Sequence, residues 1–445
     1  MKRLLFALTL LLALSLSVLA QQRPTVVVIS IDGLKPDYII EADKHNLKIP
    51  HLRRFVKEGM YATGMVGVLP TVTYPSHTTL VTGVSPAKHG ILTNLPFDPY
   101  SKNMNGWYWY AEDIKAPTLW DVATKAGLTT ANVDWPVTVG ANITFNIAQY
   151  WRASTADDRK LLRALSTPGL LTEVERAVGN YPEGYNYTIP AERQRAAISV
   201  YLLEKKKPQL HFAYLSALDE EQHAHGPYSA KAFETLEELD SLIGQIRTAA
   251  EKANGGRVYI CVVSDHGFAW TDKEVNLNAA LQAAGLIELD DKRRVKSWRA
   301  FAWYGGGAAG IVLNDPQDEA TRQKVQEVLR QVMAKESGID RILDPQQAQK
   351  MGGFPNAAFV VTLKPGYRLG SKLEGEIVVQ GKPGGTHGFA PDLPEMFASF
   401  LLTGPGVPAG VNLKMIDMRD VAPTLAGLLN LKLADAEGRD LLKKK

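Results

Sequence analysis

A chain of 445 residues with 45% hydrophobic and 22% charged side chains has the balance of a folded globular protein with ample core. Disorder, collagen and coiled coil are excluded, and the length suits two or three domains or one large α/β enzyme with insertions. The formal net charge of +3 belongs partly to the first twenty residues.

Met1 to Ala20 opens with Lys2-Arg3, continues as an apolar run from Leu4 and ends Val18-Leu19-Ala20, the pattern of a cleaved secretory signal peptide. Its removal leaves 48 basic against 47 acidic residues, a net charge of +1, and no electrostatic footprint for duplex nucleic acid. The apolar run is short for a bilayer span, and no later segment approaches that length. The expectation is an exported protein, periplasmic or extracellular, with no stable membrane insertion. Cys261, the one cysteine, lies in the apolar run Val258 to Val263 and reads as a core residue.

From Thr25 to Ile31 a β-branched apolar run stops at Asp32-Gly33, as a strand buried on both faces should. Comparable runs are Thr129 to Val133, Leu210 to Leu218, Val258 to Ser264 and Phe397 to Thr403. Helical patterns lie between them at Ile49 to Glu58, Thr78 to Thr82, Thr118 to Lys125, Ala191 to Lys205 and Ala230 to Lys252. The alternation predicts an α/β fold whose mostly parallel sheet carries helices on both faces. The α/β core is expected over residues 21–275 and 365–445. Residues 276–364 read as a smaller α+β insertion, with a Gly305-Gly306-Gly307 patch, strands at Ala309 to Leu313 and Ala358 to Leu363, and a helix near Asp318 to Ala334. The stretch Asn94 to Tyr110 is irregular and rich in Trp and Tyr, and is placed to overhang a site.

Asp32, Asp219 and Asp265 each follow an expected strand end, and in an open parallel sheet those ends share one ligand-binding edge. Histidines accompany them: His223 in Asp219-Glu220-Glu221-Gln222-His223, His266 after Asp265, and His387 in Thr386-His387-Gly388. Clustered carboxylates repel until a divalent cation joins them. Mixed carboxylate and imidazole ligation suits zinc best, with manganese or iron as alternatives. His225 competes with His223, but its spacing from Asp219 is poorer for one helical face. His45, His51 and His89 read as structural. In Pro70 to Gly83 a polar loop enters a helix whose first turn can hold Pro75, placing Thr73 near an N-terminus that attracts phosphate. Thr71, Thr78 and Thr79 are rival hydroxyls on spacing alone.

At these residues the sequence resembles the nucleotide pyrophosphatase/phosphodiesterase branch of the alkaline phosphatase superfamily, the type I phosphodiesterases. The resemblance covers about Val26 to Gly404. It rests on five motifs in the family's order: a strand-end Asp, Thr-aromatic-Pro, Asp-x-x-x-His-x-x-Gly-Pro, Asp-His-Gly and a late Thr-His-Gly. It implies an alkaline-phosphatase-like fold and two zinc ions per chain, with Asp32, Thr73, Asp265 and His266 holding one ion and Asp219, His223 and His387 the other. It further implies that Thr73 attacks phosphorus to give a phosphothreonine intermediate, which water then hydrolyses. One departure is Ser76, where the family usually carries Asn as a phosphoryl contact. Tyr214 matches a position that relatives place beside the substrate, and Trp107 to Tyr110 could stack a base or pack as a surface loop.

The resulting expectation is a metal-dependent phosphodiesterase or nucleotide pyrophosphatase acting on a small phosphodiester or nucleotide. A sulfatase nucleophile motif is lacking. A phosphomonoesterase of the same superfamily is the runner-up, disfavoured because Trp135 to Trp151 contains no charged residue to meet a monoester's extra charge. A non-catalytic phospho-ligand binder is further off, since neither the nucleophile nor a ligand is lost. Sequence fixes neither the leaving group nor the oligomeric state.

Overall fold

Val26 and Val28 face one side of the central strand Thr25–Ile31, and Val27, Ile29 and Ile31 the other, yet all are buried. A strand with period-two side chains is apolar throughout only when both faces are covered. On the first face it meets Leu80 and Val81 of helix Thr73–Thr82, Leu119 and Trp120 of helix Leu119–Lys125, and Leu425 of helix Val421–Leu428. On the second it meets Phe55 of helix Pro50–Glu58, Leu203 of helix Ile189–Lys205 and Ile243 of helix Ala230–Ala253. Each such side chain, fully buried, contributes about 1.5–3 kcal/mol. The computed structural model describes residues 24–103, 106–335 and 338–443, so the expected leader Met1 to Ala20 lies outside the described residues.

The fold is α/β, as expected. Its eight-stranded sheet runs in the order Val411–Asn412, Met60–Tyr61, Phe400–Thr403, Val258–Val263, Thr25–Ile31, Leu210–Leu215, Thr130–Val133, Phe145–Ile147. Pairing is parallel except around Phe400–Thr403, which runs antiparallel to both neighbours. Among the described residues no helix is long and apolar enough to cross a membrane.

Three elements differ from the sequence reading. The strand expected at Leu210 to Leu218 stops at Leu215, and helix Ala217–His225 begins at once. The reason is Glu192, whose buried carboxylate accepts the N–H groups of Ser216 at 2.8 Å and Ala217 at 3.0 Å. A helix start is thereby satisfied where the ladder would otherwise continue. The helix expected over Thr78 to Thr82 starts instead at Thr73. It is buried on every side, so it has no amphipathic period to reveal it. Of Phe397 to Thr403, only Phe400–Thr403 is strand.

Between residues 276 and 364 a four-stranded antiparallel sheet forms in the order Ala300–Gly305, Ala308–Leu313, Phe359–Leu363, Ile339–Leu343. Helix Glu319–Ala334 packs on it, capped by Asp318, which accepts from Thr321 N–H at 2.9 Å. The first and last of these strands are not evident from sequence. A third sheet joins Ala269–Val275 to Gly366–Leu369 and Val378–Thr386, and delivers the chain to His387.

Candidate active site

The parallel strands Thr25–Ile31 and Val258–Val263 end side by side, so Asp32 and Asp265 emerge at one sheet edge. Asp32 N–H continues the ladder to Leu215 O at 2.9 Å, and Tyr214 of the neighbouring strand donates its hydroxyl to Asp32 Oδ2. Ser216 Oγ lies 3.4 Å from the same oxygen. Asp219 is not a strand-end residue. It sits in the first turn of helix Ala217–His225, where His223 one turn later brings Nε2 to 3.4 Å from Asp219 Oδ2. His225 points elsewhere, pairing with Glu221 at the surface.

His266 Nε2 lies 3.3 Å from Asp32 Oδ1 and 3.1 Å from Asp265 Oδ2, while His387 Nε2 is 3.6 Å from Asp219 Oδ1. Ligand atoms of Asp32, Asp265 and His266 lie within 4.8 Å of one another, as do those of Asp219, His266 and His387. The His266 and His387 rings stack at 3.6 Å, and the His223 ring is 5.1 Å from His387. All three imidazoles spend Nδ1 on a backbone carbonyl: His223 on Gly385 O at 3.0 Å, His266 on Gly267 O at 3.1 Å and His387 on Thr71 O at 3.1 Å. A carbonyl can only accept, so Nδ1 carries the proton and each Nε2 presents a lone pair to the cluster.

Burial disfavours charge on every member of this cluster. It pushes the carboxyls of Asp32, Asp219 and Asp265 up, with Asp265 adding to Asp32 and Asp32 adding to Asp219 by repulsion. It holds His223 down to about 4 and pulls His266 and His387 below the usual imidazole range. Asp32 Oδ1, Asp219 Oδ1, Asp265 Oδ2 and His266 Nε2 are buried without a hydrogen-bond partner. Orphaned acceptors cost about 1–3 kcal/mol each, more when charged. Divalent cations would take up these atoms and reverse the carboxylate shifts, so these buried Asp and His groups fit metal ions.

Thr73, 7% exposed, opens its helix beside this cluster, following Val72 in extended conformation at the N-cap. Below it His77 joins three elements, with Nδ1 2.8 Å from Thr73 O and 3.5 Å from Asp265 Oδ2, and Nε2 2.8 Å from Ser30 Oγ. Thr73, Asp32, Asp219, His223, His387 and Tyr214 all line one cleft. Ser76 does not line it. One helical position past Pro75, its side chain is fully buried and its Oγ lacks a partner.

Several cleft residues escape sequence reasoning, namely Asn94, Gln149, Trp151, Tyr185 and Tyr187, whereas Trp107, which the sequence offered as a base-stacking or packing residue, does line the cleft. Asn94 Oδ1 accepts Tyr74 N–H at 2.9 Å, which leaves its amide NH2 as a donor. Tyr74 donates to Gln149 at 2.6 Å, and Gln149 donates to Tyr187 at 3.1 Å. Trp107, Trp151 and Tyr185 meet edge to face, at 4.9 Å for each successive pair. Within the Trp-Tyr run, Trp109 is buried packing and Tyr110 is exposed. Among the described residues lining the cleft none is Lys or Arg. The nearby cation Arg195 is buried beneath, 3.0 Å from Asp134 Oδ2, 3.4 Å from Glu192 Oε2 and 4.4 Å from the Tyr187 ring centroid. It ties the cleft wall to the glutamate that starts the Asp219 helix. His45, His51 and His89 lie outside the site, His45 against Tyr228 and His89 bonded to Thr79.

The family described as "Type I phosphodiesterase / nucleotide pyrophosphatase" matches residues 26–390. The chain is 29% identical over 270 residues to an uncharacterized pyrophosphatase/phosphodiesterase of Schizosaccharomyces pombe, covering 57% of this chain and 48% of that one. It is 24% identical over 436 residues to ectonucleotide pyrophosphatase/phosphodiesterase family member 3 of Rattus norvegicus, covering 94% and 43% respectively. The chain thus spans about half or less of the length of these curated relatives. Human ectonucleotide pyrophosphatase/phosphodiesterase 5 shares the fold at a TM-score of 0.66 and 19% identity, covering 93% of this chain and 97% of that one. The murine counterpart, an inactive threonine-to-alanine variant in complex with AMP, matches with the same figures.

Proposed function

The chain belongs to the type I phosphodiesterase / nucleotide pyrophosphatase family, and from that premise we propose that it hydrolyses small phosphodiesters or nucleotide phosphoanhydrides through a covalent ester on Thr73. The observation that carries this reading is the cleft itself. It juxtaposes the Thr73 hydroxyl and the Asn94 amide with the Asp and His cluster, and among the described residues that line it none is cationic.

Asp32, Thr73, Asp265 and His266 would hold one zinc ion, and Asp219, His223 and His387 the other. Bound there, such ions supply Lewis-acid charge that lowers the pKa of a hydroxyl or water and neutralises phosphoryl oxygens. Thr73 Oγ1 bonds to phosphorus as the bond to the leaving oxygen breaks, and the hydroxyl proton passes to solvent. Asn94 donates to a non-bridging oxygen. Water then attacks the phosphothreonine ester in line and frees Thr73. Tyr214 and Ser216 hold Asp32 in orientation, and the Nδ1 hydrogen bonds do the same for each imidazole. Trp107, Trp151 and Tyr185 offer ring surface to a flat group on the substrate, with a nucleobase as the fitting class. The leader pattern and the ectoenzyme names among the relatives support action outside the cytoplasm.

A diester needs less neutralisation than a doubly charged monoester, which would leave one oxygen without a cationic partner. Zinc-loaded enzyme is therefore expected to show higher kcat/KM for a nitrophenyl nucleotide diester than for nitrophenyl phosphate, and Thr73→Ala to lose turnover of both while remaining folded. Preference for the monoester, or full activity in Thr73→Ala, would overturn the reading.

A further inference from the structure

Thr71 is as buried as any residue in the protein and is absent from the cleft lining, yet its polar groups are committed to a loop remote in sequence. Its carbonyl accepts His387 Nδ1–H at 3.1 Å. Its hydroxyl donates to Phe389 O at 3.0 Å and accepts Gly388 N–H at 3.1 Å. One residue thus grips three consecutive positions of the His387 loop, two residues before Thr73.

The same loop also meets the Gly305–Gly307 hairpin tip. Gly307 N–H donates to His387 O at 2.9 Å. Gly306 has φ +66° and Gly388 φ +88°. A methyl at Gly306 would stand 2.0 Å from His387 O, and one at Gly388 2.0 Å from Gly305 O. Neither can move aside, because both atoms met are backbone. Gly305 also abuts Pro70 and Val72, so the tip backs both loops.

We propose that Thr71 is a positioning residue: its hydroxyl clasps the His387 loop to the nucleophile loop, so that its carbonyl stays on His387 Nδ1–H and Nε2 is set toward Asp219 at a constant distance from Thr73. The hydroxyl is required because it donates and accepts at once, which valine, of the same shape, cannot do. This inference rests on the metal reading of the Asp and His cluster.

The test compares zinc affinity, by competition with a chromogenic chelator, in wild type, Thr71→Val, Thr71→Ala and Thr71→Ser. Far-UV circular dichroism and unfolding in excess chelator report the fold separately. Wild type and Thr71→Ser are expected to bind two ions with similar affinities. Thr71→Val and Thr71→Ala are expected to weaken one ion about 10–100-fold and leave the other unchanged, the scale for losing a group that orients a ligand. Should Thr71→Val not fold, Thr71→Ala decides, since it adds no group that can crowd the site. Equal affinity for both ions in the folded Val or Ala variant would overturn the clasp alone, as would Thr71→Ser behaving like Thr71→Val. Wild type that binds no zinc would overturn the metal reading and the clasp with it.

Discussion

The Asp and His cluster and the aromatic wall of the cleft share an opening but are made differently. The cluster stands on strand ends of the central sheet, on the helix Ala217–His225 and on the end of strand Val378–Thr386. His223, His266 and His387 are each held by a backbone carbonyl, Asp32 by the Tyr214 hydroxyl and Asp265 by the Gly33 N–H. The wall comes from connecting segments: Asn94 and Trp107 from one, Gln149 and Trp151 from another, Tyr185 and Tyr187 from a third. On the proposed reading, chemistry belongs to the rigid frame, and substrate choice to loops that can vary without disturbing it.

That division can be broken experimentally. Asp219→Asn removes a ligand charge from the frame, and should release bound metal and lower kcat/KM for every substrate by about 100-fold or more, on the scale of losing catalytic machinery. Metal analysis beside kinetics checks it, and a substrate-dependent loss would erase the distinction. Trp151→Ala touches only the wall. It should raise KM for a nucleotide diester by about tenfold, about 1.4 kcal/mol and within the roughly 1–3 kcal/mol of a base stack, with little change for bis(nitrophenyl) phosphate. An equal effect on both substrates would assign Trp151 to the frame. Ser76→Ala removes a buried hydroxyl that has no partner, so stability should change by no more than about 0.5 kcal/mol and kcat/KM hardly at all. A large kinetic loss there would restore Ser76 as a substrate contact.

The same division decided what the sequence could reveal. Asp32 and Asp265 are legible because an apolar β-branched run ends at each, and the parallel order of those runs brings their ends together. His223 is separable from His225 by the i, i+4 spacing to Asp219. The start of that helix is not legible, since it depends on Glu192, a residue of another helix that reaches under Ser216 and Ala217. The Thr73 helix hides for the opposite reason: being buried on all sides, it shows no periodicity. Asn94 carries no local signal either. Its role follows from Tyr74 N–H, which turns the amide donor free, and that contact exists only once the loop is folded. Between residues 276 and 364 the aromatic-rich strand Ala300–Gly305 is recognisable only by the partner it pairs with.

The most direct measurement of the central claim is acid quenching of the zinc-loaded enzyme during turnover of a slow diester, followed by peptide mapping for covalently bound phosphoryl groups. A single adduct is expected, on Thr73, that forms and decays at rates able to carry turnover. An adduct on Thr71, Thr78 or Ser76, or steady turnover with no adduct on any residue, would contradict it.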